Sequence, residues 1–545
     1  MQDDETNKKM IGRRGFLKGA VISGVAGIAT SAVSFAQTSN SPSPEATKPC
    51  GKKSWENPPE SIPDSQIAKT FNTDIVVVGA GIAGLATAHG AAEHGAKVVV
   101  VEKAKGFSAR GMHNGCIGTK IHKAEGADLD KEQIIAELVR WSSNRVHANL
   151  IRIWAEKSGE VFDHYIDLAR ANGLVVELDK PYADLPYYPE YRTPLIFRKP
   201  DEPPFGSEHR LVALIEQCAK EKGVDIHYSS PAQQLIRDAK TGRITGVIAK
   251  EKGVGYIKIN ARKGVVLATG DYASNKEMVE AWCPRVKSAD FYPYTPEGAN
   301  TGDGINMALW AGGTIADTPH PPMFHGIPGL GTDLMSANQT WLHLNRNGVR
   351  YENEANPSQG NCNARMMQPG NKAWGIFDSN WAKDLKPLNL AIFGPVMEPP
   401  ALLDDSVKKG LVLRANTIEE LAQATGMPVE NVVDSVAKYN QFARNKKDTE
   451  YGKWSAFLFT IEQGPFYAVS VPVHMLTITG GLNVDPNEQV VDVNDNPMPG
   501  LYAVGNVAGN FFANDYPLIA PGISHGRCVT LGYLLGKRVA GEHKA

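Results

Sequence analysis

Gly79, Gly81 and Gly84, with Glu102 18 residues beyond the last of them, are the residues whose spacing most directly specifies chemistry. In Gly79-Ala80-Gly81-Ile82-Ala83-Gly84 the first glycine permits a tight turn. The second lets backbone approach a pyrophosphate, and the third lets a helix pack closely on a strand. Glu102 stands where a carboxylate takes ribose hydroxyls. A second group carries acid–base and cationic side chains close together near the C-terminus: Asp515, Tyr516, His525 and Arg527.

The elements needed to position the first group are legible. Asp74 to Val78 is a β-branched run, as for a parallel strand buried on both faces. An Ala-rich helix is predicted over 85–94, stopped by Gly95, and a second strand over 96–101. The helix N-terminus then solvates the phosphates. Further strand-and-turn units read at Lys263 to Asp271, at Asn300 to Gly304 before a helix over 305–311, and at Pro499 to Asn506. A last helix is predicted over 524–539, with Gly522 or Ser524 near its cap.

Composition removes several classes. The chain has 545 residues, 57 Lys+Arg against 59 Asp+Glu, and a net charge of −2, so nucleic acid is not an expected partner. Six dispersed cysteines give no disulfide scaffold. Without CxxC, CxxCH or HExxH, iron–sulfur, c-type haem and zincin sites have no local support, and no metal is expected. Residues 1–36 read as an export signal: Arg13-Arg14-Gly15-Phe16-Leu17-Lys18 matches the twin-arginine pattern, and Ser34-Phe35-Ala36 offers a cleavage site before Gln37. An uncleaved anchor is the alternative. Residues 37–66 read as a linker, with Trp55 and Ile62 docking its end onto the body.

The ATGD, TGDG, GGL and GLYAVG blocks at 268–271, 301–304, 480–482 and 500–505 resemble, in order and spacing, the flavoprotein family of fumarate reductases, urocanate reductases and 3-ketosteroid dehydrogenases. The resemblance implies an α/β fold: a Rossmann-like FAD-binding domain of the glutathione-reductase type in two segments, 67–335 and 466–545, with an α+β capping domain inserted at 336–465. Within the cap a helix–turn–helix is expected over 417–445. FAD is expected along Gly79, Ala80, Gly81, Ala83 and Gly84, then Glu102, Lys103 and Ala109, and then Ala232, Gly270, Asp271 and Asp303. Its redox end is expected against Gly505, Asn506, Gly522, Ile523 and Ser524, where a helix N-terminus favours negative charge on reduced flavin. The covalent branch carries a His after Ser where this chain has Ser108-Ala109, so non-covalent FAD is expected.

In fumarate-type members a cap Arg, relayed through Glu and Arg, donates the proton. Arg350 and Glu354 match G-x-R-[FY]-x-N-E, but the relay Arg is absent and the acid Arg falls on Ala382, beside Lys383. Tyr516-Pro517 instead resembles the ketosteroid dehydrogenases, whose Tyr acts as acid or base beside the flavin. A phenol of pKa about 10 can protonate a carbanion when tuned by a nearby donor. The expected catalytic set is Tyr516 as acid, Arg527 or Arg350 holding the electron-withdrawing group, and Glu354 and His525 in support. Packing or ion-pair roles are the alternative for each.

The resemblance implies an exported oxidoreductase that saturates a C=C bond conjugated to a carboxylate or ketone. Its separate electron donor would be a cytochrome or a quinol-linked membrane protein, and its carrier the twin-arginine translocase. The alternatives are a 3-ketosteroid-type dehydrogenase running the reverse reaction and a non-catalytic electron-transfer flavoprotein.

Overall fold

The computed structural model describes residues 53–179, 190–202, 207–292, 298–325, 340–384 and 400–541. The expected export signal lies outside them. Of the linker, Trp55 packs on Trp282 with ring centroids 4.4 Å apart, and the Ile62 N–H donates to Gln234 Oε1 (3.0 Å).

Strand β1 (Ile67–Val78) runs into helix α1 (Ile82–Glu93) and strand β2 (Val98–Val101). Ile75 to Val78 and Val98 to Val101 are buried, as a double-faced parallel sheet requires. The short strand β3 (Asn114–Gly115) and the long helix α2 (Ala148–Ala171) follow. Strands β4 (Asp225–His227), β5 (Ala232–Arg237), β6 (Ile244–Glu251) and β7 (Gly255–Leu267) come next. Helix α3 (Asp303–Trp310) and strand β8 (Pro322–His325) end this segment.

A second sheet is antiparallel and four-stranded. It is built from β9 (Leu342–Asn345), β10 (Ala373–Phe377), β11 (Val412–Ala415) and β12 (Phe466–Ser470), ordered β9-β10-β12-β11. Helix α4 (Ser358–Met366) lies between β9 and β10 in the chain. Helices α5 (Ile418–Thr425) and α6 (Val429–Asn445) flank the turn at Gly426, whose φ of +74° closes α5 in the left-handed conformation that glycine tolerates. Together they make the expected helix–turn–helix. Strand β12 corrects the reading of domain limits: Phe466–Ser470 pairs with β10 and β11, so the capping sheet extends five residues past 465.

Strand β13 (His474–Ile478) pairs with β8. Strands β14 (Gln489–Val491) and β15 (Pro497–Ala503) then rejoin the first sheet, which runs β14-β15-β7-β1-β2-β4 with the β5–β6 hairpin added on β7. Helix α7 (Ile523–Gly541) packs on α1 through Gly532 and Gly536, where a Cβ would meet α1 backbone. The segment after 488 thus completes the sheet begun at Ile67.

Candidate active site

The glycine turn fits a bound dinucleotide. Gly79 has φ +110°, and a Cβ there would lie 2.5 Å from the Ala268 carbonyl oxygen. A Cβ on Gly84 would collide with the Gly79 carbonyl, so β1 and α1 approach this closely only with glycine. Gly81 differs: a Cβ there would meet nothing within 4 Å. It is the N-cap of α1 and has no side chain to cap it, so the first N–H groups of α1 are left for another acceptor. Glu102 accepts from the Ala80 N–H (2.7 Å) and the Ala104 N–H (2.8 Å), which fixes it at the end of β2 beside that turn. Lys103 reaches Thr301 Oγ1 (2.7 Å) and Asp303 Oδ2 (3.0 Å), joining β2 to the head of α3.

Around this groove the partly accessible residues are Gly81, Glu102, Lys103, Ala109, Ala232, Gly270, Asp303, Asn506 and Gly522. Ala80, Ala83, Asp271, Gly505, Ile523 and Ser524 are buried and act through backbone or neighbours. Asp271 accepts from Asn300 (2.6 Å), the Ala273 N–H (3.0 Å) and the Thr477 hydroxyl. Gly505 has φ +80°, and a Cβ there would press on Ala83 at 2.9 Å. Donors, open space and carboxylate are those that a pyrophosphate and ribose need, and the residues fit FAD.

The head of α7 carries the rest. The Gly115 N–H donates to Gly522 O (2.8 Å), and a Cβ on Gly526 would collide with Gly115 O, so β3 lies directly against α7. Four of the expected catalytic residues do not reach accessible space. Tyr516 is 1% exposed, and its hydroxyl oxygen accepts from the Ser524 N–H (3.2 Å), capping the helix beside Phe512. Burial pushes this phenol up, against the Ser524 N–H and the Arg527 charge. Arg527 is buried between Phe511 and Phe512 and donates to Asn506 Oδ1 (2.8 Å) and Gly505 O (3.3 Å). Both bonds go to the Gly505–Asn506 turn.

Arg350 and Glu354 are also corrected. Arg350 donates twice to Glu354 (2.8 and 2.9 Å) and twice to Asp448 (3.0 and 2.8 Å), and Lys453 Nζ lies 3.2 Å from Glu354. Against the pull of burial, Lys453 and Arg350 hold the Glu354 carboxyl down at about 2, while burial brings Lys453 to about 8. This four-charge cluster closes on itself inside the cap, with four of the five Arg350 N–H groups donated within it.

His525 does reach accessible space, with its side chain 24% exposed. Its Nδ1 lies 3.0 Å from His113 O, an acceptor only, so Nδ1 carries the proton and Nε2 presents a lone pair. Burial lowers its pKa to about 4. It is a neutral acceptor, not an acid.

Arg110 and Glu208 escaped the sequence reading, while His113, four residues past Ala109, is expected from the sequence only as an ordinary polar contact. His113 Nε2 bonds Asp179 Oδ2 at 2.7 Å one residue before β3, a His–carboxylate pair whose partners are 66 positions apart. Arg110 donates to Asn300 Oδ1 (2.9 Å) and lies 3.8 Å from Asp271, yet stays partly accessible. Glu208 accepts from Asn114 (2.8 Å), and burial pushes its carboxyl well up. The cap closes over this end through α4. Gln359 and Asn363 both donate to Asp515, while Arg285 lies 3.7 Å away, and burial lifts the Asp515 carboxyl to about 6.

Known proteins resemble this chain in sequence and fold. The FAD binding domain family matches residues 74–520. The vinyl phenol reductase of Lactiplantibacillus plantarum is 27% identical over 506 residues, covering 88% of this chain and 97% of that protein. A probable fumarate reductase of Shewanella frigidimarina is 28% identical over 484 residues, covering 84% and 74%. The open conformation of a flavocytochrome c3 fumarate reductase superposes with a TM-score of 0.66 at 25% identity, over 91% of this chain and 83% of that one.

Proposed function

The chain belongs to the FAD binding domain family, and on that premise we propose that it reduces a C=C bond conjugated to an electron-withdrawing or aromatic group. It is an FAD-dependent oxidoreductase acting on CH–CH groups. FAD, when bound, supplies the hydride. The protein's part is to hold the alkene under the cap, stabilise negative charge and deliver the proton. Arg110 provides positive charge at the electron-withdrawing end, since Arg350 and Arg527 are committed elsewhere. His113, oriented by Asp179, holds the proton and gives it up. The clasp of α4 on Asp515 keeps water out while the carbanion is exposed.

One observation carries this reading. The His113–Asp179 pair lies one residue before a strand that hydrogen-bonds to Gly522, the turn that resemblance assigns to the redox end of FAD. The vinyl phenol reductase, matched over nearly its whole length, favours an alkene with one activating group over a dicarboxylate. Electrons would enter from a separate donor, a cytochrome or quinol-linked protein. The twin-arginine pattern at Arg13 and Arg14 supports export to the periplasm. A steady-state comparison decides direction: reduced viologen with cinnamate, 4-vinylphenol and fumarate against a dye acceptor with saturated ketones. Alkene reduction lowered 10²–10⁴-fold by His113→Gln, with FAD retained, supports the proposal. Dehydrogenation alone, or an active His113→Gln, refutes it.

A further inference from the structure

In the C-terminal half of α1, His89 and Glu93 are one helical turn apart, and His164 of α2 faces them. One ring nitrogen of each histidine and a carboxylate oxygen of Glu93 lie within 4.8 Å of one another. We propose that these three side chains bind one divalent transition-metal ion of the Zn²⁺ class, clamping the dinucleotide-binding helix α1 to α2.

Two observations support the site. First, His164 Nε2 is shut off from solvent and makes no hydrogen bond, yet lies 3.3 Å from Glu93 Oε2, the spacing of two ligands around one ion. Second, outer partners are in place. The Tyr165 hydroxyl lies 3.0 Å from His89 Nδ1, and the Tyr533 hydroxyl donates to Glu93 Oε2 (2.7 Å).

Two imidazoles and a carboxylate select Zn²⁺, Cu²⁺ or Ni²⁺ over the oxygen-seeking Ca²⁺ and Mg²⁺. Ligands around tetrahedral Zn²⁺, at bond lengths near 2.0 Å, stand about 3.3 Å apart. The Glu93–His164 separation already meets this, and His164, 32% exposed, can rotate to close the rest. A fourth position stays open for water.

The test is calorimetric titration of the chelator-stripped, FAD-loaded full chain with Zn²⁺. One equivalent is expected, weakened at least tenfold by His164→Ala and by Glu93→Gln. It should be unchanged by His227→Ala, which removes a histidine paired with Asp225 and Glu251. FAD content and thermal midpoint establish that each variant is folded, and the near-isosteric Glu93→Gln decides if His164→Ala is not. Wild-type protein that takes up no stoichiometric Zn²⁺, or variants that bind it like wild type, would overturn the site.

Discussion

Gly81 and Gly84 stand in one motif but answer to different neighbours, and that difference is measurable. Gly81 has φ −82° and ψ −179°, which alanine adopts without strain, and its Cβ would meet no protein atom within 4 Å. Gly81→Ala is therefore neutral for the empty fold. If the pyrophosphate occupies that space, the methyl group overpacks it at a cost of about 1–3 kcal/mol. That is roughly 5- to 150-fold in FAD dissociation constant. Gly84→Ala instead drives a Cβ into the Gly79 carbonyl and against Ala268 at 3.1 Å, forcing α1 off β1. It should destabilise the apoprotein by at least that amount, shifting Tm before FAD is considered. The assay is apoprotein prepared by mild unfolding and refolding, its thermal midpoint measured, then titrated with FAD by flavin fluorescence. An apo Gly81→Ala destabilised as much as Gly84→Ala, or one that binds FAD normally, would falsify the placement of the cofactor.

Tyr516→Phe removes a buried hydroxyl that accepts a backbone N–H. It is expected to cost about 1–3 kcal/mol of stability and to leave turnover within a few-fold, whereas a loss of 10²-fold or more at full FAD content would restore Tyr516 as the acid. Asp515 titrates at about 6 in the fold against its ordinary 3.8. The folded state keeps its proton longer, so stability falls as pH rises through that window, by about 3 kcal/mol in all, and is flat above it. Asp515→Asn should abolish this component in thermal scans from pH 4 to 8, and superimposable wild-type and variant profiles would contradict it. Acid precipitation should release all flavin to the supernatant, as Ala109 offers no attachment point; colour in the pellet would show a covalent bond.

The cofactor half was legible because phosphate recognition is local. Gly79, Gly81, Gly84 and Glu102 lie within 24 residues, and each requirement is a backbone or turn property that sequence spacing records. The catalytic half depends on partners far along the chain. Nothing near Arg350 announces Asp448, 98 positions away, which takes two of its hydrogen bonds. Nothing near His113 announces Asp179. Tyr516 sits beside the correct turn, but its burial follows from Phe512 and from the way α7 enters β3. The limit at 465 missed β12 because a run with four buried residues suits either sheet, and only pairing with β10 and β11 assigns it.

The central claim is that reduced FAD in this chain gives its electrons to an activated alkene. Dithionite-reduced protein, freed of excess reductant and kept anaerobic, should regain its oxidised flavin spectrum on mixing with cinnamate, 4-vinylphenol or an enone, with one alkene saturated per flavin. Reoxidation by dyes and oxygen alone, with every alkene in that panel recovered intact, would contradict it.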